Sequence, residues 1–161
     1  MPANSKILAS IAKNLDPKKL WTQIENAEKE KNAVIADAAF RQLISLVPDG
    51  VKEGTAEYDF WRSINALEFR LSKENRKTTR LSKTRQKIER VGEIETLKEL
   101  ALRKAPAEGF EMMLKRNMVE FAAEAVILRH PKTFGEEVCS AARERLTSAG
   151  IDISEALKPQ R

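Results

Sequence analysis

Residues 70–90 read RLSKENRKTTRLSKTRQKIER. They hold nine basic side chains, Arg70, Lys73, Arg76, Lys77, Arg80, Lys83, Arg85, Lys87 and Arg90, against two acidic ones, Glu74 and Glu89. The whole chain of 161 residues has 29 Lys and Arg against 24 Asp and Glu, a net charge of +5. Outside the segment the balance is therefore 20 basic against 22 acidic, so the entire positive excess lies in this stretch. Lys73, Arg76, Arg80, Lys83, Lys87 and Arg90 follow steps of three and four, which on an unbroken helix places them along one stripe. At ~1.5 Å rise per residue the stripe is roughly 25 Å long. Like charges at such spacings repel by a few tenths of a kcal/mol per pair, so a bound anion would relieve the helix. Ser72, Asn75, Thr78, Thr79, Ser82, Thr84 and Gln86 are interleaved, and side chains of these types bond phosphate oxygens. The chemistry expected here is electrostatic positioning on the phosphates of a nucleic acid, with all nine cations as contacts. No aromatic side chain interrupts the run, so a base-stacking platform for single strands is missing. A duplex or a structured RNA fits better.

The competing reading is a solvated face, or cations matched within the fold by Glu25, Glu28, Glu30, Asp37 and Glu120. A second binding reading is a helical adaptor or regulator that meets an acidic protein partner or self-associates. Residues 81–102 have the outline of a helix, a glycine turn and a helix, which resembles a helix-turn-helix. The second helix carries Glu93, Glu95 and Glu99 against Lys98 and Arg103, the wrong balance for a groove-reading helix. Any nucleic-acid contact in this unit then falls to the first helix.

Other reactive side chains are few. One His excludes multi-His metal motifs, and one Cys excludes a disulfide framework and Cys-rich zinc sites. His130 precedes Pro131 at a helix end, where an imidazole has a structural use. Cys139 falls on an apolar face with Val138 and Ala142, as a small buried hydrophobe does. The phosphate-binding P-loop, the GxGxxG dinucleotide fingerprint and the HExxH zinc motif are all absent. Glu25 and Glu28 share a helix face, but Lys29 and Lys31 beside them mark an ordinary charged surface. Trp21, Tyr58, Phe60 and Trp61 sit at helical spacing as core anchors, and Met112 and Met113 as gap fillers. The expectation is a binding protein and not an enzyme, with no metal and no cofactor.

The elements that position these groups are helices. No segment alternates with period two over a useful length. Asp16-Pro17 starts one helix, with Asp as N-cap and Pro at the first helical position. Leu20, Trp21, Ile24 and Ala27 form its apolar face. Ile35, Ala38, Ala39, Leu43 and Leu46 form the next. Pro48-Asp49-Gly50 is a turn, because Pro fixes φ and Gly admits positive φ. Thr55 opens a helix with Tyr58, Trp61, Ile64, Leu67 and Leu71 inward. Gly92 ends a helix carrying Ile88, Asn117 and Met118 make a left-handed cap, Pro131 stops the apolar run from Phe121 to Leu128, and Gly150 closes the last long helix.

The fold expected is all-α, one domain over 1–161 of eight or nine short helices without a regular repeat. A soft division near residue 75 and a frayed tail over 152–161 belong to the same expectation. The N-terminal apolar run ILASIA is too short for a signal peptide, and no stretch approaches the ~20 apolar residues of a membrane span. A cytoplasmic protein that avoids membranes follows, with a single thiol suited to a reducing compartment.

Overall fold

A computed structural model describes residues 2–160. Ten α-helices and one short 3-10 turn make up the fold of the described residues, with no strand among them: α1 (Pro2–Lys13), α2 (Pro17–Lys29), α3 (Ala33–Ile44), α4 (Ala56–Asn75), α5 (Ser82–Val91), α6 (Glu93–Leu102), α7 (Glu108–Lys115), the 3-10 turn Val119–Phe121, α8 (Ala123–Arg129), α9 (Pro131–Ser148) and α10 (Ile153–Ala156). The all-α class read from the sequence is what the chain adopts. The described chain forms two compact units, 2–49 and Gly50–Gln160, so the boundary lies in the Pro48–Asp49–Gly50 turn and residue 75 is interior to the second unit.

In the first unit α3 packs on both α1 and α2. Asp16 caps α2 by accepting the Lys18 and Lys19 amides, and Pro17 occupies the first turn, as its sequence signature requires. Asn32 serves two helices. Its amide donates to the Ala27 carbonyl and closes α2, while its side chain accepts the Ile35 amide and opens α3. Leu20, Ile24 and Ala27 of α2 and Ile35, Ala39 and Ile44 of α3 are buried at three- and four-residue spacing.

The second unit is organised around α4, which packs against α6, α8 and the 3-10 turn. Thr55 caps it through the Tyr58 amide, and Glu57 and Asp59 sit favourably in its first turn. Phe60, Trp61, Ile64, Leu67 and Leu71 are its buried face. In α8, Ala125, Val126 and Ile127 are fully buried, because α4, α6 and α9 all press on this short element. Two glycines join helices with almost no connecting chain. Gly92 (φ 87°, ψ 167°) separates α5 from α6, and Gly135 (φ 79°, ψ 174°) breaks α9 internally. That region of backbone space is open essentially to glycine alone. The left-handed cap expected at Asn117 is present, with φ 59° and the Met118 amide on the Met113 carbonyl.

The end of the chain, expected to fray, is instead tied down through Gln160. Ala156 of α10 is fully buried beside Phe110, Ala122, Ala125 and Leu146. The Arg129 guanidinium donates to the carbonyls of Glu120, Ala156 and Lys158. The Gln160 amide donates to Ser63 Oγ and its oxygen accepts from Arg62. A polar sequence such as SEALKPQ hides this docking, because half of the bonds named here come from main-chain carbonyls, which carry no sequence signal.

Candidate nucleic-acid interface

The basic segment is not one helix. Arg76 turns into left-handed backbone (φ 55°, ψ 31°) and stops α4, and helix resumes only at Ser82. The connection is cross-tied. Ser72 Oγ accepts the Thr79 amide at 2.8 Å, Asn75 donates to Thr79 Oγ1 at 3.1 Å, and Thr79 Oγ1 donates to the Lys77 carbonyl at 3.1 Å. These short polar side chains bond the local backbone and thereby compete with helix continuation. The single stripe of six cations expected from their spacing is therefore broken. Lys73 lies on α4, Arg76 and Arg80 lie in the connection, and Lys83, Lys87 and Arg90 lie on α5.

Glu68 fixes where α5 begins. Its buried carboxylate accepts the Leu81 amide at 2.8 Å and both Nε and Nη2 of Arg85, at 2.7 and 2.6 Å. Leu81 offers no side-chain cap to α5, so the carboxylate from α4 supplies an anion at the positive end of that helix. The Arg85 guanidinium also stands 5.3 Å from the Trp61 ring centroid, and Trp61 Nε1 donates to Glu93 at 2.9 Å. One connected set of side chains thus joins α4, α5 and the start of α6. Hydrogen bonding to Glu68 holds the Arg85 guanidinium above the ordinary arginine range.

The nine expected contact residues divide by environment. Arg85 and Lys87 are drawn in, to Glu68 and Glu99 respectively. Arg70 is 3.4 Å from Glu74, one turn along α4. Arg80 Nη1 lies 3.9 Å from Glu68, at the edge of an ion pair, and stays largely exposed. Lys73 is exposed with its ammonium 5.9 Å from the Phe69 ring centroid. Arg76, Lys77, Lys83 and Arg90 are exposed and form no ion pair among the described residues. Glu68, Glu74 and Glu99 neutralise cations here, carboxylates that their sequence positions did not single out as partners. Glu74 is also held by both Nε and Nη2 of Arg116, at 2.9 and 2.7 Å. Bonding to Arg116, then the nearby charge of Arg70, keeps its carboxyl below the usual range.

The remaining reactive side chains are engaged structurally. His130 occupies the junction of α8 and α9 in non-helical backbone (φ −128°, ψ 56°), and its Nε2 is 2.6 Å from Asp59 Oδ2. Cys139 is buried in α9, and burial pushes its thiol up from the ordinary range. Among the described residues no group of three or more His, Cys, Asp or Glu side chains is arranged to hold a metal ion. Phe60 and Trp61 are core residues, as their spacing suggested. Among the described residues no helix is long and apolar enough to cross a membrane. No protein-family model, curated protein or solved structure matches this chain.

Proposed function

We propose that the α4–α5 junction is a non-catalytic binding surface for the phosphate backbone of duplex DNA or structured RNA, working in the cytoplasm. One observation carries the reading: among the described residues Arg76, Lys77, Lys83 and Arg90 stand exposed without a carboxylate partner, with Arg80 loosely held near Glu68. Arg76, Lys77 and Arg80 lie in the connection that leads into α5, and Lys83 lies in its first turn, so four cations fall within eight residues of chain. The contact set is smaller than the nine expected from sequence, and it runs from the connection into the first turn of α5 with Arg90 two turns further on. Such a surface grips phosphates without reading bases. Lys83 and Arg90 are seven residues apart on one helix and face the same way, about 10 Å from each other along the axis.

The test is a titration of a fluorescein-labelled 20-base-pair duplex at several salt concentrations. Four phosphate contacts give a log–log salt slope of about −3.6. Lys83→Ala with Arg90→Ala is expected to flatten that slope by about 2, equally for unrelated sequences. Both substitutions are at exposed positions, so the fold is retained. A salt-independent affinity, or one unchanged in the double variant, overturns the proposal. So does stronger binding to a polyglutamate peptide of matched length, which would assign the surface to an acidic protein partner.

A further inference from the structure

Glu124 is the second residue of α8, in its first turn, and is 2% exposed. A buried carboxylate of this kind ordinarily has its oxygens saturated by donors. Here Oε1 has no hydrogen-bond partner among the described residues, and the rest of the carboxylate is met by its own backbone amide and by Arg145 Nη1, at 3.5 Å from Oε2. Arg145 is itself committed elsewhere. Its Nη1 also donates to the Leu100 carbonyl at 3.4 Å, and its Nη2 to the Arg103 carbonyl, so the guanidinium serves the open C-terminal end of α6. The ion pair is therefore long, shared and one-sided, and it compensates little of the cost of dehydrating an anion.

The other charges around α8 do not help. α8 packs against α4, α6, α9 and the 3-10 turn. From α4, Asp59 is bonded to His130, and Arg62 donates to Gln160. From the 3-10 turn, Glu120 lends its carbonyl to Arg129 at the far end of α8. From α6, Glu93 accepts from Trp61 and Glu99 binds Lys87. Arg145 of α9 is the single cation recorded against Glu124 among the described residues.

We propose that Glu124 is a proton-dependent joint of the fold: the native protein carries it as a neutral acid, and its ionisation loosens the α6–α8–α9 junction. Burial, outweighing the bond from its own backbone amide and then the Arg145 charge, pushes the carboxyl up from the ordinary glutamate range, in the direction the geometry requires. The sign follows from linkage. Between the unfolded and folded values the native state binds the extra proton. Stability from this group is then complete below the unfolded value and drains away as pH rises through the folded one.

The experiment compares urea unfolding of the wild type and of Glu124→Gln from pH 4.5 to 8. Gln copies the shape of the neutral acid, so contributions from all other groups cancel in the difference. The expected result is a folded-to-unfolded ratio that falls in wild type relative to Glu124→Gln by up to tenfold per pH unit across the titration. The carboxyl ¹³C shift of Glu124 in the native wild-type protein reads the same ionisation without relying on the variant. Parallel stability curves, or a carboxyl that titrates at or below the ordinary glutamate value, overturn the proposal.

Discussion

Replacing Glu68 by Ala removes three bonds at once. The Leu81 amide loses its acceptor, and Arg85 loses both contacts of its fork. Breaking a fully buried pair from one side costs about 3–5 kcal/mol. Arg85, however, is 29% exposed and keeps its position over Trp61, so water can take up much of the freed guanidinium. The orphaned amide adds about 1 kcal/mol. The net expectation is about 2–3 kcal/mol lost, read by urea unfolding with an unchanged m-value. For a unit of this size the melting midpoint drops by about 6–12 °C. A cycle with Arg85→Ala isolates the pair, and a coupling of about 1–2 kcal/mol is expected. Amide exchange should quicken first across residues 76–81, because Glu68 is the tether between that connection and α4. A loss under about 0.5 kcal/mol, or no coupling between the two positions, would refute the view that Glu68 sets the start of α5.

Gly92→Ala should cost about 1–3 kcal/mol in the same assay, because the backbone there is in a region closed to residues with a Cβ. An added Cβ would meet nothing within 4 Å, so a loss in that range measures conformation alone. A chain ending at Asp152 should lose about 2–4 kcal/mol, since Ala156 and its apolar neighbours uncover the core and Arg129 forfeits two carbonyls. Differential scanning calorimetry of the shortened chain checks this, and an unchanged midpoint would show the docked end to be idle.

The helices were legible because their ends carry local chemistry. Asp16-Pro17, Thr55, Asn117 and Gly150 each fix backbone within a few residues of themselves, and each does in the structure what its type suggests. The basic segment shows the opposite case. Its three-and-four spacing is a true helical pattern at Lys83, Lys87 and Arg90 of α5, yet Ser72, Asn75 and Thr79 recruit one another across seven residues and cut Lys73 off from it. The partners of its cations were hidden for a related reason. Glu68 reads as one more charge on an amphipathic helix, and only the fold-back of α5 aims Arg85 and the Leu81 amide at it. Asp59 with His130, and Glu124 with Arg145, are 71 and 21 residues apart, and no periodicity connects them. Long-range pairs of this kind depend on packing geometry, which a single chain of letters does not contain.

Arg76 holds a backbone shape that glycine would adopt more comfortably. Selection for heat resistance alone would favour Gly at this site, while selection for grip on a polyanion would retain the guanidinium. Under the proposed function the two pressures would pull on the same codon in opposite directions. A library of variants sorted separately for each trait would reveal which of them has shaped the molecule.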